Sequence, residues 1–146
     1  MILVDTNVLV YAHRSESPFH AKANETLRIL AEGSAPWALS WNAVHEFLAV
    51  VTHPKILSPP TPLEEALQQI DSWLESPTLK VLGEGSLSYW DTLKTLVRAG
   101  DIRGPKVHDA RVASVVLHNG CSALYSADRD FNRFPQIKVR NPLVER

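Results

Sequence analysis

Four acidic residues, Asp5, Glu46, Asp109 and Asp128, stand where this chain could do chemistry. Asp5 follows the apolar run Ile2-Leu3-Val4, and Glu46 lies in the helical pattern after Trp37-Ala38-Leu39. Asp109 sits in His108-Asp109-Ala110, and Asp128 in Ser126-Ala127-Asp128-Arg129-Asp130. Carboxylates brought together repel, and at neutral pH they stay ionised only if a cation compensates them. Oxygen donors, with no Cys or His pair at metal spacing, favour a hard ion such as Mg²⁺ or Mn²⁺. Such ions bridge to phosphate oxygens, so the natural chemistry is phosphodiester hydrolysis. Each acid also has a purely structural reading. Asp5 in Asp5-Thr6-Asn7 is good capping chemistry, and Asp109 gains from a helix dipole. One of Asp128 and Asp130 is expected to be a turn former, with Asp128, nearer the strand, the functional one. Glu46 falls opposite the Val44/Phe47/Val51 stripe, on a helix apolar nearly all round. The functional reading rests on joint placement.

The elements that would place these acids alternate along the chain. Strands are expected at Ile2–Val4, Trp37–Leu39, around Leu79–Leu82 and at Ala123–Tyr125, with a possible fifth at Ile137–Val139. Helical patterns cover a short stretch from Val8, then 19–32, 41–52, 87–99 and 108–119. One more begins with Thr61 as N-cap and Pro62 at N1, its Leu63, Leu67, Ile70 and Leu74 forming an apolar stripe. Gly33, Gly100 and Gly120 read as helix stops, and the proline-rich stretch from His53 to Pro62 as an irregular connection. This alternation predicts an α/β fold, a three-layer sandwich around a mostly parallel sheet of four to five strands. In such sheets ligands bind beyond the carboxyl ends of the strands, where Asp5 and Asp128 fall.

Composition sets the frame. At 146 residues the chain suits one domain, 1–146, able to bury roughly 70% of its unfolded surface. The formal net charge of −1 hides two unlike halves: −5 over residues 1–97 and +4 over residues 98–146. Basic groups therefore cluster around Asp109 and Asp128. Arg111 and Arg129, with Arg98, Arg103, Lys106 and Arg133, are candidate phosphate contacts, as is Arg14 after the first helix. For any single one, a solvated surface is the competing reading. The four tryptophans, Trp37, Trp41, Trp73 and Trp90, are assigned to packing. A lone Cys121, no signal-peptide pattern and no stretch of about 20 apolar residues fit a cytoplasmic protein without a membrane span.

The segments MILVDTNVLVYA, HEFLAVVTHPKI, HDARVASVVLHNG and ALYSADRDFNRF, in this order, resemble the PIN domain, and more narrowly the VapC-type ribonuclease toxins of bacterial toxin–antitoxin pairs. The resemblance covers essentially the whole chain. It implies a Mg²⁺-dependent endoribonuclease with Asp5, Glu46, Asp109 and Asp128 as its acidic quartet, Asp5 and Asp109 being the direct metal ligands. Thr6 and Asn7 match the polar residues beside the first acid. Ser126 matches a Thr or Ser whose hydroxyl orients a carboxylate or a water. The implied substrate is structured RNA of the tRNA or rRNA class. The implied partners are a small VapB-like antitoxin and a second copy in a homodimer.

Two rival readings are kept. A haloacid-dehalogenase-type Mg²⁺-dependent phosphatase would need a second Asp two residues after Asp5, where Asn7 stands. A non-catalytic binding module on the same fold would be expected to have lost one or more of the four acids. His45-Glu46 opens a zinc-protease pattern that fails at Ala49, where the second His would stand.

Overall fold

The computed structural model describes residues 1–144. In it β1 (Ile2–Val4) leads to α1 (Thr6–His13) and α2 (His20–Glu32). Then come β2 (Trp37–Ser40), α3 (Trp41–Val51), α4 (Leu63–Leu74), β3 (Leu79–Leu82) and α5 (Leu87–Gly100). A 3-10 turn at Gly104–Lys106 opens into α6 (Val107–His118), followed by β4 (Ala123–Tyr125), a second 3-10 turn (Arg129–Arg133) and β5 (Val139–Arg140). All five strands pair in parallel, in the order β3-β2-β1-β4-β5. Among the described residues, no helix is long and apolar enough to cross a membrane.

A parallel sheet needs cover on both faces, and the alternation of side chains along each strand divides the core accordingly. Val4, Trp37 and Leu39 face the layer of α1 to α4, packing with Leu9, Leu27, Phe47 and Ile70. Leu3, Ala38 and Leu124 face α5 and α6, packing with Leu96, Ala113 and Val116. The result is the three-layer α/β sandwich expected from the sequence. Two serines switch strand or loop into helix: Ser40 Oγ accepts from the Ala43 N–H at 3.0 Å, and Ser86 Oγ from the Tyr89 N–H at 3.2 Å.

Several local expectations are corrected. The buried seam of α4 is Ala66 and Ile70, with Trp73 set edge-on against Phe47 at 4.8 Å. That aromatic contact and the small Ala66 rotate the helix by about one position, leaving Leu63 and Leu67 exposed. Thr61 does not cap α4; it is buried, and its hydroxyl accepts from Arg14 at 3.2 Å. The end of α5 is made by Asp101 in the left-handed region (φ 49°), one residue past Gly100. The fifth strand lies at Val139–Arg140, slightly later than expected. Trp37 is fully buried, but Trp41 and Trp90 are 46% and 53% exposed, so packing does not account for those two.

Candidate active site

The pairing of β1 with β4 creates the site. Val4 pairs with Tyr125, and the Asp5 N–H donates to the Tyr125 carbonyl at 2.9 Å, so Asp5 and Ser126 leave the sheet side by side. From there the chain after β1 turns toward β2 while the chain after β4 turns toward β5. Strand order reverses at that point, which leaves a crevice between the two loops.

Polar residues span the crevice. The Ser126 hydroxyl donates to Asp5 Oδ2 at 2.8 Å and accepts from the Asp128 N–H at 3.0 Å and Asn7 Nδ2 at 3.2 Å. Two donors on that oxygen leave its proton for Asp5. Asn7 also donates to Asp5 Oδ2 at 3.3 Å and accepts from the Ala127 N–H at 3.2 Å, stapling the first loop to the last. Asp5 caps α1 through the Thr6 N–H at 2.9 Å, and the buried Thr6 hydroxyl donates to Glu46 Oε2 at 3.3 Å. Asp128 caps its own 3-10 turn, accepting from the Asp130 N–H at 2.8 Å. Asp5 and Asp128 thus fill the structural capping roles expected of them while facing the crevice.

Asp5, Glu46, Asp109 and Asp128 line one cavity of about 650 Å³. Glu46 reaches it because the outward ridge of α3, Asn42, Glu46 and Val50, turns toward the crevice. Burial, followed by the charges of Glu46 and Asp128, pushes the Asp5 carboxyl up to about 6, against the lowering effect of its hydrogen bonds. Burial also raises Asp109, as do the charges of Asp128 and Asp130, while Arg133 and His108 oppose the rise. A cation would relieve this repulsion.

The donor set fits a hard divalent ion. Its donors would be carboxylate oxygens lining an open cavity, and among the described residues no three His, Cys, Asp or Glu side chains are grouped closely enough to hold a metal ion by themselves. Mg²⁺ and Mn²⁺ suit that openness, because Mg²⁺ sites use one or two carboxylates and complete the shell with water and substrate phosphate. A structural zinc site would require a closed tetrahedral set.

Three of the arginines singled out from the sequence, Arg14, Arg111 and Arg129, do not line this cavity. Arg14 is tied to Glu16 at 2.6 Å, to Thr61, and to the Pro59 carbonyl at 2.7 Å, in a separate depression. Arg111 pairs with Glu84 at 2.6 Å, and the Tyr89 hydroxyl donates to the same Glu84 oxygen at 2.7 Å. Arg129 is exposed in a neighbouring depression that shares Asp128. Arg133 acts by its charge on Asp109, and Arg111, though paired with Glu84, also feels the charge of Glu46. Sequence reasoning missed Asn42, Tyr11 and His108 as wall residues. Asn42 and Tyr11 carry a signal that could have found them, lying one helical turn from Glu46 and Asn7 respectively.

Comparison with known proteins agrees with this fold. The family model described as the PIN domain matches residues 2–137. Ribonuclease VapC43 of Mycobacterium tuberculosis is 36% identical over 143 residues, covering 98% of this chain and 96% of its own length. Two solved structures share the fold. One is M. tuberculosis VapC20, described as a sarcin–ricin loop cleaving toxin, with a TM-score of 0.69 at 20% identity, covering 97% of this chain and 100% of that one. The other is a toxin–antitoxin complex from Klebsiella pneumoniae, with a TM-score of 0.64 at 15% identity, covering 97% and 98%. A crevice lined by four carboxylates, a family model spanning nearly every residue and a curated relative aligned end to end lead to one assignment: the chain belongs to the PIN-domain family, among its VapC ribonucleases.

Proposed function

We propose that this VapC-type ribonuclease is a Mg²⁺-dependent endoribonuclease, with Mn²⁺ as substitute, that hydrolyses phosphodiester bonds in structured RNA as the toxin of a toxin–antitoxin pair. The observation that carries the reading is the meeting of Asp5, Glu46, Asp109 and Asp128, from four distant parts of the chain, in one cavity. Asp5 and Asp109 are the principal holders of the cation, with Glu46 and Asp128 completing the acidic wall. When bound, the ion supplies charge stabilisation at the phosphate and makes a water molecule more acidic. Ser126 keeps its proton on Asp5 Oδ2, so that carboxylate is held in one orientation. Glu46, steadied by the Thr6 hydroxyl, orients the attacking water and receives its proton.

The phosphatase alternative loses its footing at position 7, where the amide of Asn7 bonds Asp5, Ser126 and Ala127 in place of a second carboxylate. Pairing with a small VapB-like antitoxin is supported by the structural neighbour solved as a toxin–antitoxin complex. A homodimer is supported by the uncovered Leu87 and Trp90 on α5, 86% and 53% exposed. Recognition of a tRNA or rRNA target falls to the catalytic face itself. Purified protein should cut structured RNA with Mg²⁺ or Mn²⁺ and lose cleavage in excess EDTA. Asp109→Asn should be inactive while folded by circular dichroism. Full activity in EDTA, or an active Asp109→Asn, overturns the reading.

A further inference from the structure

The cavity that holds the acids is not polar throughout. Both α1 and α3 begin at the carboxyl end of the sheet and run away from it. Each therefore lines the cavity with polar groups first and apolar ones a turn later: Asn7 then Tyr11 on α1, Glu46 then Val50 on α3. A helical turn is about 5.4 Å, so a wall of Val10, Tyr11 and Val50 begins roughly that far from the polar end. The Tyr11 ring is braced by Phe19, with centroids 5.2 Å apart and planes tilted by 57°. The Tyr11 backbone carbonyl is in turn bonded by His20 Nδ1 at 3.0 Å, which ties the start of α2 to the backbone that carries the ring. At about 650 Å³ the cavity has the size of a small-molecule pocket, well beyond what a hydrated ion fills.

We propose that the Val10–Tyr11–Val50 wall is a nucleobase subsite, taking the base of the nucleotide next to the scissile phosphate with the Tyr11 ring as its stacking surface. The proposal rests on the ribonuclease reading above and adds where the RNA is read. A nucleotide carries a charged phosphate and a flat, weakly polar base a few ångströms apart, and this cavity offers an ionic end and an apolar end on the same scale. Sequence-specific RNA recognition splays out unstacked bases and lays them on aromatic rings. The wall carries no charged side chain, so it selects among bases by shape and stacking. Tyr11 is thereby a specificity-determining residue.

Two readouts test it. In a randomised RNA pool, the wild-type chain should show a base preference at one position flanking its cut sites. Tyr11→Leu should flatten that preference and raise KM roughly tenfold with a much smaller change in kcat, the scale of one lost base stack. Tyr11→Trp should restore both. The second readout does not need catalysis. In an Asp109→Asn background, a single-stranded oligoribonucleotide carrying 2-aminopurine should lose fluorescence when that base enters the wall, and Tyr11→Leu should abolish the quench. Val50→Thr, nearly isosteric, should weaken the quench and serves should Tyr11→Leu disturb folding. If the wild type cuts no RNA but the Tyr11-dependent quench persists, the ribonuclease reading fails and the wall stands as a base-binding site without a cleavage role. Unchanged KM, cut-site preference and quench in Tyr11→Leu overturn the subsite. So does a loss confined to binding of a protein partner, which would make the wall a docking surface for that partner.

Discussion

Replacing Asp5 with Asn should stabilise this fold while abolishing cleavage, because the carboxylate is held against the preference of its surroundings. Burial, aided by Glu46 and Asp128, takes Asp5 from an ordinary 3.8 up to about 6. An acid whose folded pKa exceeds its unfolded value is penalised when it ionises. The penalty is absent below the unfolded value, grows as pH rises through the window between the two, and is complete above the folded one. The gap corresponds to about 3 kcal/mol at neutral pH. Asn keeps an acceptor for the Thr6 N–H but puts an amide nitrogen where Oδ2 accepts from Ser126 and Asn7, which costs back about 1–2 kcal/mol. The net expectation is a gain of about 1–2 kcal/mol near pH 7.5 in EDTA, vanishing or reversing near pH 4. Urea unfolding followed by circular dichroism at both pH values measures it. Added Mg²⁺ should narrow the difference, since it stabilises the wild type far more than the variant. A variant no more stable than wild type near pH 7.5, with an unchanged pH slope, refutes the reasoning.

Asn7→Ala removes the staple between the first and last loops. It should lower stability by about 1–3 kcal/mol and cleavage at least tenfold, checked by urea titration and initial rates. A variant with wild-type rates would limit Asn7 to tying the two loops together. Trp90→Lys together with Leu87→Lys should convert a dimer to a monomer by light scattering without loss of the fold, since both side chains are exposed in the single chain. A species of unchanged mass would move the dimer contact elsewhere.

How far the sequence could be read depended on whether a feature is local. Strand positions were legible because each strand is a short apolar run ended by a capping or turn residue, as at Val4-Asp5 and Leu39-Ser40. Asp5 and Asp128, just beyond two of these runs, were legible for the same reason. The orientation of α4 was not, because Leu63, Leu67, Ile70 and Leu74 form a regular stripe, and only contact with Phe47 selects Trp73 and Ala66 instead. Trp41 misled for a related reason. At the first position of α3 its side chain stacks loosely on His45, ring centroids 6.3 Å apart, in place of entering the core.

By itself the sequence determined the alternation of strands and helices, and with it a parallel sandwich whose strand ends carry Asp5 and Asp128. Hydrophobic periodicity and capping chemistry act over a few residues, so they survive in a linear string. Only the tertiary structure decided that β1 lies against β4, since that pairing joins residues about 120 positions apart and leaves no local mark. From it follow the proton that Ser126 directs onto Asp5, the loop staple made by Asn7 and the raised pKa of the buried acid. The folded chain also decided that Arg14 and Arg111 are committed to Glu16 and Glu84, because an ion pair depends on distance in space and not on spacing along the chain.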